Sequence, residues 1–495
     1  MHHVAVAAPN EAAAEAGAVL ARAGGNAVDA ALAAVLVTMV NEVGIVSLSS
    51  GGFVTVQPAS GGAAVTVDGW MDMPGRGGAP RDDSGTWDVH TTYGGGVDVT
   101  IGPGSVAVHG AVAACEETHR RWGRASWCDV VAPALEVARG GFALGSASRY
   151  YLDHVHDAIF GWDPVSRAAL HDADGSVTRD VVVMDDLPDA LEQIAAHGAA
   201  ALHTGDVGRA IADDVAHRGG LLTREDLAAY RPVVRPALET DLGAWRLGTV
   251  APPSVGGVCV AAMLRLLDGT PAGAWTDADV ERLVHVQREV LGHRLEVLDH
   301  SDDLVRDALD HLASVDERVR SAGSTAHVSA TDVDGLACAV TVSSGYGSGM
   351  VASGTGIWLN NCLGEQELNP RGLHGLQPGT RLLSNMAPSV ARRADGATLA
   401  IGSPGADRIS TALAQVIAGI AHGGLSLTEA ITHPRVHVHR AGRPQEEVKR
   451  EDQLSMYFGG VGAALLHPGD GAGRLEAAAD PRRDGATRLA GPAPS

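Results

Sequence analysis

Ser324-Thr325-Ala326-His327-Val328-Ser329-Ala330-Thr331-Asp332, the turn Val333-Asp334-Gly335, and then Leu336-Ala337-Cys338-Ala339-Val340-Thr341-Val342-Ser343-Ser344-Gly345 read as two strands and their connection. Loop length sets the register of such a pair. A three-residue loop pairs Asp332 with Leu336, so Thr325 faces Ser343 and His327 faces Thr341. A two-residue loop moves the partner of Thr325 to Ser344. Both registers gather hydroxyls around Thr325 at the end of a sheet, just after the small residues Ala322-Gly323-Ser324. That setting suits a Thr whose hydroxyl must reach the carbonyl of its own preceding residue. Without it, a Thr opening a core strand expresses β-propensity alone.

Upstream, Asn10 and Asn26 are N-cap residues for two apolar helices separated by Gly24-Gly25, the second running to about Val40. Gly51-Gly52 lead into a strand at 53–57, and Ser60-Gly61-Gly62 turns the chain into a second at 63–67. From about Gly110 to Ser314 the pattern is helical, with its longest stretch at 279–312. Strands return after Thr325, and the Pro, Ala and Gly of 486–495 predict a frayed tail. No repeat or linker divides the chain, so one large mixed α and β domain is expected.

The 495 residues are 45% hydrophobic and 19% charged, enough to bury a large core. With 37 basic against 59 acidic side chains the formal charge is −22, which repels a phosphate backbone, so no nucleic-acid partner is expected. Lys449 is the sole lysine and follows no Gly-rich loop, which excludes a P-loop and argues against a pyridoxal Schiff base. The five cysteines lack paired spacing and read as reduced thiols. The sequence has no secretory pattern, and its longest apolar run, 30–40, is half of the roughly 20 residues a membrane span needs. A cytoplasmic location away from membranes is expected.

GxSxG, GxGxxG after a strand, and HExxH are all absent; in Gly402-Ser403-Pro404-Gly405 a proline follows the serine directly. His437 and His439 share one face of a candidate strand and read as a half-exposed strand, with no metal expected.

Several motifs in order give the chain a wider likeness. They are Arg22-Ala23-Gly24-Gly25-Asn26-Ala27-Val28-Asp29-Ala30, Gly219-Gly220-Leu221-Leu222-Thr223, Pro252-Pro253-Ser254-Val255-Gly256-Gly257, Gly354-Thr355-Gly356-Ile357, Leu359-Asn360-Asn361, Gly402-Ser403-Pro404-Gly405 and Asp480-Pro481-Arg482-Arg483-Asp484-Gly485. The sequence resembles the γ-glutamyltransferase family of N-terminal-nucleophile hydrolases. The resemblance implies an α+β fold, a four-layer αββα sandwich. It also implies cleavage between Ser324 and Thr325, giving a large subunit (1–324) and a small subunit (325–495) of one domain. The freed α-amino group of Thr325, with a reference pKa of roughly 7.7–8.0, would then serve as base to its own hydroxyl. Thr341 and Ser343 match the hydroxyl positions that orient this nucleophile, and the backbone N–H groups of Gly405 and Ala406 match the oxyanion hole. This chemistry is complete without a metal or organic cofactor.

The positions implied to bind substrate depart from the family pattern together. Trp70 stands where an Arg clamps the substrate α-carboxylate, Gly345 replaces an Asn, and Cys362 and Glu365 replace the polar residue and Asp that receive the α-amino group. Ser384 remains of a Ser pair, beside Asn385, and Ala326 replaces a second Thr. Charged hydrogen bonds contribute about 1.5–3 kcal/mol, so losing the clamp predicts γ-glutamyl binding weaker on the order of a hundredfold. Arg76 and Arg81 are the nearby cations open to replace it; otherwise they are solvated loop residues. The expected substrate is a small amino-acid-derived metabolite. The favoured specialisation is carbon-carbon bond hydrolysis of the kind that family members perform in alkyl-proline antibiotic biosynthesis. A conventional γ-glutamyl enzyme, a glutaryl-type acylase and an inactive binding scaffold are the alternatives.

Overall fold

A computed structural model describes residues 3–78, 85–93, 96–267, 275–313, 325–365, 368–405, 407–439, 445–469 and 473–491. Ser324, Ala406 and Arg81, named above, lie outside the described residues. The chain opens with β1 (Val4–Ala8), α1 (Glu11–Arg22) and α2 (Ala27–Asn41), then β2 (Gly51–Gln57) and β3 (Val65–Gly69). A largely helical stretch leads to β4 (Val233–Pro236), β5 (Leu238–Leu242), β6 (Trp245–Thr249) and α3 (Val255–Leu266). The remainder supplies β7 (Ala326–Asp332), β8 (Ala337–Ser343), β9 (Ser389–Arg393), β10 (Thr398–Gly402), α4 (Arg408–Ala421), β11 (Val436–His439), β12 (Gly462–His467), β13 (Arg474–Ala479) and β14 (Ala486–Ala490).

Two antiparallel sheets carry the architecture. One has the order β14-β1-β7-β8-β2-β3-β4 and the other β13-β12-β10-β9-β6-β5. Strands β1, β7 and β8 of the first touch β10 and β12 of the second, while α1 and α2 pack on the first sheet and α3 and α4 on the second. The β7–β8 pair lies at the centre of its sheet, in the three-residue register: Thr341 opposes His327 and Val342 opposes Ala326. Asp332 fixes that turn. Its Oδ1 accepts the N–H groups of Asp334 and Leu336, both at 3.1 Å, and its Oδ2 accepts Ala27 N–H at the start of α2. Gly335 supplies the left-handed residue, φ +81°, that such a loop needs.

Period-2 alternation separates two chemistries on this pair. Val328, Ala330, Cys338, Val340 and Val342 join the core that includes α2, whose fifteen residues are all buried. The opposite face looks at the second sheet. There Ala337 and Ala339 pack with Val390 and Ala400, small residues that let the sheets approach. His327, Ser329, Thr331, Thr341 and Ser343 form a buried polar stripe on the same face. Ser329 Oγ donates to Gly462 O (3.2 Å) and Thr331 Oγ1 to Ala464 O (3.0 Å), so the stripe is satisfied by the facing backbone.

Four expectations are corrected. Two helices do not open the protein, because β1 precedes them, and the region from about Gly110 to Ser314, expected to be dominated by helices, also contains β4 to β6. Leu238, Thr240 and Leu242 and then Trp245 and Leu247 alternate at period 2 over stretches too short to stand out beside long helices. Within the expected tail, residues 486–490 are a strand: β14 pairs with β1 from Ala486↔Ala8 to Ala490↔Val4, and Arg488 reaches Glu11 and Glu15 on α1. The long helix predicted over 279–312 is also broken, running Asp277–Glu296 and resuming at Leu304–Ala313.

Candidate active site

Thr325 sits one step before β7 and is buried, and the ladder register places it opposite Ser343. Two residues on, His327 lies on the same face, wedged against the end of β10: a Cβ at Gly402 would come 2.2 Å from His327 Cε1. Only glycine lets the ring and that strand approach so closely.

Hydroxyls flank both nitrogens of this ring. His327 Nε2 lies 2.7 Å from Ser329 Oγ and Nδ1 lies 2.8 Å from Thr341 Oγ1, and the ring also bonds the Val340 backbone. Each hydroxyl can give or take a proton, so the imidazole ties the two into one buried polar chain. Burial holds the imidazole far below its usual range, at about 3, so the ring stays neutral.

A pH dependence follows from that shift. Unfolded, His327 takes a proton near its reference value of 6.5; folded, it does so only at about 3. Between those values acid favours the unfolded chain, so this residue costs about 1.4 kcal/mol of stability per pH unit as pH falls, with none of that cost above the unfolded value. Urea unfolding at pH 7, 6 and 5 is expected to show wild type losing stability faster than His327→Gln. Parallel curves would contradict this.

The walls beyond Thr325 follow from its neighbours. Ser343 pairs with Gly51, and a Cβ on Gly51 would lie 2.7 Å from the Trp70 ring. Trp70 is buried, stacks on Phe53 with centroids 6.2 Å apart, and donates Nε1–H to Leu383 O at 2.8 Å. That bond pins the residue before Ser384. Val255 N–H and Gly256 N–H at the start of α3 donate to Ser384 O (3.0 and 3.1 Å), and a Cβ on Gly256 would strike Asn385 O at 2.0 Å. Asn385 is buried, yet neither atom of its side-chain amide has a hydrogen-bond partner among the described residues.

Ser343 Oγ accepts Gly345 N–H at 3.0 Å, and Gly345 turns the chain with φ +67°. A Cβ there would lie 2.4 Å from Asn361 Oδ1 and 3.0 Å from Glu365 Oε1, so those side chains crowd the space above position 345. Asn361 Oδ1 accepts Tyr346 N–H (2.6 Å) and its Nδ2 donates to Thr100 O (3.1 Å). Cys362 is buried beside Glu365; burial first, and the carboxylate second, push its thiol well above the ordinary range, which makes it a poor nucleophile.

The cations near Trp70 are engaged. Arg381 bridges Asp68 (3.3 Å) and Asp72 (2.8 Å) and donates to Trp70 O. Arg76 is six positions beyond Trp70, 3.9 Å from Asp226 and pressed against Gly379.

At the end of β10 the chain turns through Ser403-Pro404-Gly405, with Gly405 at φ +125°. Gly460 N–H donates to Ser403 Oγ (3.2 Å), and a Cβ on Gly405 would lie 2.7 Å from Gly459 Cα, so the loop rests on the 459–460 backbone. Asp407 follows. Burial raises its pKa, but Arg408 and the imidazoles of His437 and His439 outweigh that and hold it well below the carboxylate range.

Thr325, Thr341 and Ser343 are thus brought to one end of the polar stripe. Gly345, Cys362 and Glu365 cluster above it, and Trp70, Ser384 and Asn385 form a contiguous wall. His327, Asn361 and Gly402 were not singled out as site residues from sequence. The same-face spacing of His327 with Thr325 was the available signal; Asn361 and Gly402 act through contacts with distant segments.

A sequence model of the family described as gamma-glutamyltranspeptidase matches residues 13–316 and 306–490. Glutathione hydrolase 5 proenzyme of Rattus norvegicus is 29% identical over 91% of this chain and 84% of its own length. Acylase ACY 1 proenzyme of Pseudomonas sp. (strain V22) is 28% identical over 85% of this chain and 80% of its own. Cephalosporin acylase from Bacillus halodurans has a similar fold, with TM-score 0.78 and 20% identity, covering 98% of this chain and 96% of that one.

Proposed function

This chain belongs to the gamma-glutamyltranspeptidase family, and on that premise we propose that it is an autoprocessing N-terminal-nucleophile hydrolase with a substrate pocket altered away from γ-glutamyl groups. It is an enzyme of the hydrolase or acyltransferase class, as its relatives are. In our reading the sheets and their flanking helices are a four-layer αββα sandwich, divided by cleavage into residues 1–324 and 325–495. Thr325 Oγ1 attacks a carbonyl of a small amino-acid-derived metabolite while its own α-amino group takes the hydroxyl proton. Thr341, oriented by His327, and Ser343 hold that hydroxyl, and N–H groups at Gly405 and Ala406 receive the oxyanion. Collapse of the tetrahedral intermediate breaks the bond to the leaving group, which recovers the proton. Water then hydrolyses the Thr325 ester.

The observation that carries the altered pocket is Trp70. Its ring is packed on Phe53 and its N–H bound to Leu383 O, and the neighbouring Arg76 and Arg381 are held by Asp226, Asp68 and Asp72. Among the described residues, the guanidiniums beside Trp70 face carboxylates of the protein itself, and Arg81 lies outside those residues. The buried Asn385 amide, able to donate and accept, suits a neutral polar group instead. Such a pocket accommodates a conjugated ketone, whose carbon leaving group stabilises its charge by delocalisation, giving carbon-carbon bond hydrolysis. Kinship with the Pseudomonas acylase supports a second reading, cleavage of an acyl amide by the same nucleophile.

The pocket is tested with two anilides, γ-glutamyl and its 4-aminobutyryl counterpart without the α-carboxylate. Deleting that carboxylate is expected to change kcat/KM less than about tenfold, whereas an enzyme with a working clamp would lose on the order of a hundredfold. A strong preference for the γ-glutamyl anilide would overturn the altered-pocket reading.

A further inference from the structure

We propose that Asp407, His437 and His439 form a binding site for a divalent transition-metal ion of the Zn2+ type, separate from the threonine chemistry. The three side chains come from two elements. Asp407 immediately precedes α4, and the two histidines share one face of β11. Both rings converge on one carboxylate oxygen: His437 Nε2 is 3.0 Å and His439 Nδ1 3.2 Å from Asp407 Oδ2, and all three donor atoms lie within 4.8 Å of one another. Ligands bound tetrahedrally to zinc at about 2.0–2.2 Å sit roughly 3.4 Å apart. Small movements would therefore admit the ion.

Thr411 Oγ1 lies 3.2 Å from His437 Nδ1 and fixes that ring with Nε2 3.0 Å from Asp407 Oδ2. A metal ion bound here would take the place of the protons through which the two rings meet this carboxylate, and it uses the convergence of both rings. The surroundings match a metal site as well. Thr411 orients His437, and the Arg408 guanidinium binds the other oxygen of Asp407. His437 is fully buried, whereas the His439 side chain is 36% exposed and offers a route from solvent. Two imidazoles and one carboxylate favour Zn2+, Co2+ or Ni2+ over Mg2+ or Ca2+.

The test is titration of chelator-treated protein with Zn2+ by calorimetry and with Co2+ by its visible absorption. One ion per chain is expected. His439→Ala, at a partly exposed position, and the isosteric Asp407→Asn should each weaken binding at least about tenfold. His285→Ala, on an exposed face beside Glu289, should leave it unchanged. Absence of stoichiometric binding, or binding that both site variants leave intact, overturns the proposal. The readout is metal affinity, so its result is independent of whether Thr325 is the nucleophile.

Discussion

Thr325→Ala protein is expected to remain one intact chain by mass spectrometry, while wild type separates into residues 1–324 and 325–495. The variant should also lose at least about a thousandfold in turnover of any substrate, because nucleophile and base reside in the same residue. Thr325→Ser keeps a hydroxyl and should still be cleaved, more slowly. Thr341→Val is the sharper probe of the geometry. It preserves shape but removes the hydroxyl that lies 2.8 Å from His327 Nδ1 and, in our proposal, holds the Thr325 hydroxyl. Cleavage slowed on the order of a hundredfold is expected for it. An unbroken wild-type chain with full activity would eliminate the mechanism and leave only the family and fold.

The second large effect concerns stability. The motif at 480–485 closes a buried ionic network in which Arg482 holds Glu451 through Nε (2.7 Å) and Asp480 through Nη1 (3.1 Å), while Arg435 Nη2 lies 2.6 Å from Asp480 Oδ2. Arg482 further donates to the carbonyls of Ile431 and His433, and Arg435 to that of Phe458. Both guanidiniums are essentially inaccessible. Arg482→Leu leaves the buried Glu451 carboxylate without its guanidinium and Asp480 with Arg435 alone, so a loss of about 3–5 kcal/mol is expected in urea unfolding. Arg474→Ala, which removes an exposed partner of Glu476, should cost less than about 1 kcal/mol. Equal, small effects would mean that the network is worth no more than a surface pair. Because Phe458 adjoins the Gly459-Gly460 backbone on which the 403–405 loop rests, Arg482→Leu should also lower kcat at temperatures where the variant remains folded.

Local pattern told most about the strands that carry the stripe. A three-residue turn with a glycine in its last position sets the β7–β8 register, and strict alternation puts Thr325, His327, Thr341 and Ser343 on one face. The alternation belongs to neighbouring residues and is legible in sequence, whereas the choice between the two registers left open there is made by the observed pairing of Thr341 with His327. Strands β4 and β14 were illegible for the converse reason, because each is short and its partner lies far along the chain, whereas β5 and β6 form a hairpin too short to stand out between long helices. β14 is a strand because β1 offers a free edge almost the full chain length away. The Pro and Gly around it look like a tail until that edge is present.

The sequence alone determined the kinship, the hairpin with its choice of two registers and the loss of a cation at position 70, since these depend on residue identity and order. Tertiary structure alone decided that His327 is wedged against Gly402, that Trp70 is closed off by Leu383 and Phe53, and that Asp407 meets His437 and His439. Each of those depends on groups brought into contact from segments distant in sequence, where a one-residue shift would separate them.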